Sequence, residues 1–130
     1  MTTKTPDNIP YLYLFQVDLS RVGNSESPRI DKIRVNKDVD VYEQNGIIMV
    51  RANSKGISLF TEEAIQQTSF EGWAWKIPRG TPLPSGLGLF NDHPGHFMIC
   101  PINNMPVDKY KALLSKIALA CERVMKVPVR

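Results

Sequence analysis

The chain has 130 residues, 42% of them apolar, so it suits one domain whose core needs no metal or disulfide staple. Ten prolines and eight glycines argue against a helical bundle and for short elements joined by turns. The net charge of +3 is spread over singly scattered Lys and Arg, which excludes a nucleic-acid-binding arm, and no apolar stretch reaches the roughly 18 residues of a membrane-spanning helix.

Residues 1–10 are polar and are expected to lack order; they carry no apolar signal segment, so the chain is expected to act in a cytoplasm. Tyr11 to Leu19 is largely apolar on both faces and reads as a central strand. Ser20 to Pro28 reads as a loop by its Ser, Gly, Asn and Pro content. Residues 29–42 alternate only in part, which allows either two short strands or one with irregular chain. Asn45-Gly46 is a turn signal, followed by a β-branched strand, Ile47 to Ala52. A second turn at Asn53 to Gly56 leads to a strand from Ile57 to Phe60, so these two strands are expected to form a hairpin. Thr61 can cap a short helix over 61–67, with Glu62 and Glu63 suiting its dipole.

A strand over Trp73 to Ile77 stops at Pro78. Residues 78–88 form a Pro/Gly-rich loop, and His96 to Cys100 is a buried strand ended by Pro101. From Pro106 to about Val127, Tyr110, Leu113, Leu114, Ile117, Cys121, Val124 and Met125 recur at spacings of three and four, the stripe of one long amphipathic helix. Cys100 and Cys121 lie in apolar runs and are expected to be buried free thiols.

Three pieces in order carry a resemblance: Gly56-Ile57-Ser58-Leu59-Phe60 on a strand; Trp75-Lys76-Ile77-Pro78-Arg79-Gly80-Thr81-Pro82-Leu83-Pro84; and His96-Phe97-Met98-Ile99-Cys100-Pro101 before a C-terminal amphipathic helix. Together they resemble the Tse-two family of type VI secreted toxins, over roughly residues 44–126. The resemblance implies an α+β, ADP-ribosyltransferase-like fold: a mixed or antiparallel sheet of about five to seven strands with a long C-terminal helix packed on it, as a single domain over 11–130. It also implies a toxin acting in a target-cell cytoplasm that uses NAD to modify a target or cleaves it. The implied partners are a cognate immunity protein and a protein or nucleic-acid target.

Position by position, Ser58 matches the serine of the family's strand motif, and His96 the histidine that opens its last core strand. Ile57 replaces the family's threonine. Gln16 stands where many ADP-ribosyltransferases place an NAD-contacting arginine on the first strand.

Cleavage of the nicotinamide–ribose bond develops an oxocarbenium-like cation, so an enzyme must clamp the phosphates, hold the ribose hydroxyls and place negative charge nearby. Ser58 and His96 are the catalytic candidates. Ser58, Arg51 and Gln16 are the candidates for holding NAD, with Arg79 a further cation and Glu62 or Glu63 a carboxylate. The structural alternatives stay open: Ser58 as a satisfied strand hydroxyl, His96 as a rim histidine, and Trp73 and Trp75 as core.

His93-Pro94-Gly95-His96, with Cys100 four residues on, has residue types suited to zinc. Pro-Gly does not build the helix face that would converge two imidazoles, however, and no metal site is expected. Neither a GxGxxG nor a Walker phosphate loop is present. Ile57 and Gln16 also allow a second reading, a catalytically inactive domain of this fold that binds a protein or nucleotide.

Overall fold

The computed structural model describes residues 11–24, 26–67 and 72–127. Residues 1–10, expected to lack order, lie outside the described residues.

The elements run β1 (Leu19–Gly23), β2 (Val41–Gln44), β3 (Ile47–Val50), β4 (Ile57–Phe60), α1 (Glu62–Gln66), β5 (Gly72–Ile77), β6 (Leu87–His93), β7 (His96–Pro101), β8 (Met105–Pro106), α2 (Val107–Ala118) and β9 (Glu122–Val127). They form a six-stranded sheet, β6-β7-β4-β1-β5-β9, and a three-stranded sheet, β2-β3-β8. Every pairing between named strands is antiparallel. This is an α+β arrangement with few helices, as expected.

Local chemistry accounts for several boundaries. Asn45 and Gly46 both take positive φ, 52° and 81°, the backbone of a two-residue hairpin turn, and they join β2 to β3. The Thr61 side chain accepts a bond from Ala64 N and starts α1. Pro94-Gly95, with Gly95 at φ 82°, turns β6 into β7.

Four expectations need correction. First, the strand expected over 11–19 starts at Leu19 instead and includes Ser20 to Gly23, the segment that reads as a loop. Residues 11–18 form no named strand: they make two isolated bridges, Leu12 to Leu89 and Leu14 to Pro82, with further backbone bonds from Leu83 to Tyr13 and between Phe15 and residues 80–81. Their neighbouring segment carries Pro78, Pro82 and Pro84, which have no N–H to extend a ladder. β1 forms from weak strand formers because β4 and β5 flank it on both sides.

Second, β3 and β4 are not a hairpin: they lie in different sheets. The connection is held by other segments. Asn104 Oδ1 accepts from Ala52 N, and Asn53 Nδ2 donates to Asp40 Oδ2 at 2.7 Å.

Third, the loop over 78–88 gives way at Leu87 to β6, a strand that residue pattern does not reveal.

Fourth, the long C-terminal helix is a 12-residue helix, Val107–Ala118, followed by β9 on the edge of β5. The stripe is genuine as far as Ile117: Tyr110, Leu113, Leu114 and Ile117 are buried. The helix ends in the 119–120 turn, with Leu119 exposed. Glu122 to Val127 then pairs as a strand, because the edge of β5 offers its backbone a ladder. The side chains of Val124 and Met125 lie outside the described residues.

The main core fills the space between one face of the large sheet, α2 and the small sheet. Leu19, Ile57, Leu59, Ile77, Leu89 and Ile99 meet Tyr110, Leu114 and Ile117 there, all fully buried or nearly so. Cys100 is buried and Cys121 half-buried, both as free thiols; burial pushes the Cys121 thiol up to about 12.

Tyr110 also ties α2 to the sheet. Its hydroxyl donates to Ile99 O at 2.6 Å and accepts from Ile57 N at 3.3 Å. It therefore bridges the facing pair Ile57 and Ile99 between β4 and β7. Tyr110→Phe leaves a buried donor and a buried acceptor without this partner, and urea unfolding is expected to show a loss of about 1–3 kcal/mol. A midpoint equal to that of the wild type contradicts the bridge.

Candidate functional site

The β4–β7 ladder aligns Ile57 with Ile99, Ser58 with Met98, Leu59 with Phe97 and Phe60 with His96. Side chains alternate along strands, so Ile57 and Leu59 enter the main core while Ser58, Phe60, Met98 and His96 share the other face. Ser58 and His96, 38 positions apart in the sequence, become diagonal neighbours on one face, a spacing of about 7–8 Å in an antiparallel ladder. Both are half-buried. Phe60 stands directly opposite His96 and packs on its ring, with centroids 5.1 Å apart.

Ile57, the departure from the family threonine, is fully buried and takes no part in this face.

The other two candidates lie elsewhere. Arg51 is exposed beyond β3 on the small sheet, its guanidinium 4.2 Å from the Tyr42 ring centroid. Gln16 is exposed and lies ahead of β1, not on the first strand. Arg79 is exposed on the Pro/Gly loop, with its N–H given to Asp18. Trp73 and Trp75 are half-buried on β5. The Arg123 guanidinium covers Trp73 at 4.5 Å, and Trp75 Nε1 donates to Asn24 O.

The arginine that does occupy the first strand is Arg21. β1 and β4 pair only at Ser20 and Phe60; Ser20 shares the Phe60 face, so Arg21, one residue on, turns to the Leu19 and Tyr110 side of the sheet, at the seam beyond that pair. Its Nη1 donates to Ser58 O at 3.0 Å, and its Nε is buried without a hydrogen-bond partner. Burial lowers its pKa below the usual arginine value, against the opposing pull of Asp38. Asp38 is itself buried and held by Arg34 through Nη2 at 3.0 Å and through its backbone N–H. Residue pattern misses Arg21 because it sets the first strand too early. An apolar-flanked arginine, Leu19-Ser20-Arg21-Val22, is the one signal in the sequence that points to it.

A second cluster surrounds His96. Its Nδ1 lies 2.5 Å from Asp92 Oδ1, and His93 Nδ1 lies 3.1 Å from Asp92 Oδ2. The two imidazoles stack at 4.8 Å with an 18° interplanar angle. Burial works to raise the Asp92 carboxyl, but the His96 bond and the two neighbouring imidazoles outweigh it and hold it below its ordinary value. The β6–β7 pairing shifts register between Asn91 and His93. That irregularity cannot be read from residue order, and the two histidines converge through a hairpin turn, not through a helix face.

Two hollows lie nearby. One, of about 560 Å³, is lined by Asp18, Glu62, Glu63 and Gly95 among others. The other, of about 480 Å³, is lined by Tyr13, Leu83, Gly86 and Ile102 among others. Ser58, His96, Arg51 and Gln16 line neither of them. The Ser58–His96 face is thus a surface strip beside the first hollow, joined to it through the 94–95 turn. Among the described residues no helix is long and apolar enough to cross a membrane.

No curated protein and no solved structure matches the chain. A family model described as Tse2 ADP-ribosyltransferase toxin matches residues 12–124. That span takes in β1 with Arg21, the β4–β7 ladder with Ser58 and His96, and α2 beneath them, and the chain belongs to this toxin family.

Proposed function

We propose that the chain is a toxin domain over 11–130 with an ADP-ribosyltransferase-like fold, which uses NAD to modify a target or cleaves NAD outright. The observation that carries this reading is the shared face of Ser58 and His96 on adjoining strands, within the family match. Ser58 offers a hydroxyl to a ribose hydroxyl or to the nicotinamide amide. His96 offers one ring nitrogen to a ribose hydroxyl while the other faces Asp92. Arg21 stands at the β1–β4 seam but on the Leu19 and Tyr110 side of the sheet, opposite Ser58 and His96, so it does not complete this face, and Gln16 lacks the position to do so. Arg51 remains a candidate only if NAD extends toward the small sheet.

One feature supports an active enzyme over a binding module that lost its chemistry. Ile57 faces the core, so replacing the family threonine leaves the exposed face unchanged.

The same reading gives the chain a cognate immunity protein as partner, a protein or nucleic acid as target, delivery by type VI secretion and action in a target-cell cytoplasm.

The test is expression in a bacterial cytoplasm with NAD measured over time. Wild type is expected to arrest growth and to deplete NAD or label a target, while Ser58→Ala and His96→Ala, folded by circular dichroism, lose most of that effect. A harmless wild type, or two folded variants as toxic as wild type, overturns the reading.

A further inference from the structure

The tip of the β6–β7 hairpin gathers three side chains that regular strand geometry would keep apart. Asp92 and His93 are consecutive, so on a regular strand they point to opposite faces. The register irregularity between Asn91 and His93 lies at Asp92, and such a bulge re-aims a side chain locally. Pro94 and Gly95 close the turn, and His93 and His96 face each other as the last cross-strand pair. The result is one carboxylate and two imidazoles whose ligand atoms all lie within 4.8 Å of one another.

The geometry points to a divalent metal site at Asp92, His93 and His96, with zinc as its ion. The donor set decides the class of ion. Two imidazoles and one carboxylate suit zinc and its neighbours, whereas magnesium and calcium prefer oxygen ligands throughout.

The distances are close to what is required. Zinc bonds of about 2.0–2.2 Å in a tetrahedron place ligand atoms roughly 3.3 Å apart. The two carboxylate–imidazole contacts stand at 2.5 and 3.1 Å, so side-chain rotations of about an ångström admit the ion.

Three protein ligands leave one position open to water. His93, with 63% of its side chain exposed, gives the ion a path from solvent, while His96 at 15% anchors the site against the Phe60 ring. The alternative occupant of this cluster is a proton shared between carboxylate and imidazole, and the test separates the two.

Metal-stripped full-length chain is titrated with zinc chloride by calorimetry, and its Tm is followed with and without zinc. Wild type is expected to bind one ion per chain and to gain Tm, because an ion that binds the folded state stabilises it. His93→Ala and Asp92→Asn are expected to lose at least ~10-fold in affinity and most of the Tm gain, whereas Cys121→Ser behaves as wild type. The site is overturned if wild type takes up no zinc, if His93→Ala binds as wild type does, or if Cys121→Ser removes the binding. His93 has no part in the NAD reading. A His93→Ala chain that loses zinc yet still depletes NAD therefore supports the metal site, and an NAD-inert wild type that binds zinc here overturns the NAD reading alone.

Discussion

Arg21→Ala is expected to lower the Tm by about 5 °C or more, with NAD consumption falling only in step with it, while Gln16→Ala leaves both unchanged. The size follows from losing a hydrogen bond from a charged donor to a backbone carbonyl, which contributes about 1.5–3 kcal/mol. Arg21 is the half-buried arginine of the first strand, and its burial lowers its pKa without depriving it of charge at neutral pH. One guanidinium nitrogen is committed to Ser58 O at 3.0 Å, and Nε is buried without a partner. It lies on the Leu19 side of β1, away from Ser58 and His96, so its role is to tie β1 to β4 where their ladder stops.

Arg21→Lys separates charge from shape. A lysine keeps the charge but loses the planar fork, so it is expected to recover only a small part of the Tm. If Arg21→Ala unfolds at the wild-type Tm, or loses NAD consumption with its Tm unchanged, the tie between β1 and β4 is not the role of Arg21. If Gln16→Ala proves as damaging as Arg21→Ala, the placement of the first strand fails with it.

What is legible in the sequence depends on how local the determining physics is. The Asn45-Gly46 turn, the Thr61 cap, β5, β7 and the buried stripe of α2 are all readable, because each is set by residues within a few positions. The pairing of Ser58 and His96 on one face follows from a resemblance spread over three separate segments, and the β4–β7 register gives it a geometry.

The misreadings share one cause, which is that partners distant in the chain decide. Leu19 to Gly23 is a strand only because β4 and β5 enclose it. Residues 122–127 leave the helix because the edge of β5 offers a ladder. β3 and β4 separate because Asp40 and Asn104 hold the intervening loop between two sheets. The Asp92 cluster depends on a register shift that leaves no compositional mark.

Gly56→Ala is expected to be the most damaging single methyl in the chain's β4–β7 region, and the reason is contact, not backbone conformation. Gly56 does not take positive φ, so alanine meets no dihedral penalty there. A Cβ at this position would instead stand 1.9 Å from Ile99 O, 2.5 Å from Ile99 C and 3.0 Å from Cys100 Cα, all backbone atoms of β7. No side-chain rotation relieves that overlap, so the strand itself must move, and with it the four aligned pairs from Ile57–Ile99 to Phe60–His96. The Tyr110 bridge to Ile57 N and Ile99 O is strained by the same displacement.

Overpacking against a rigid neighbour costs about 3 kcal/mol or more, a large share of the roughly 5–15 kcal/mol that holds a domain of this kind together. Thermal unfolding is expected to show a Tm lower by about 10 °C or more, with toxicity falling in parallel because Ser58 and His96 part. Gly46 supplies the internal comparison: it has φ 81°, and a methyl added there would meet no atom within 4 Å, so Gly46→Ala carries only the conformational penalty of about 1–2 kcal/mol. If Gly56→Ala proves no worse than Gly46→Ala, the close approach of β4 to β7 is not what the Gly56-Ile57-Ser58 segment requires, and the geometry assigned to Ser58 loses its support.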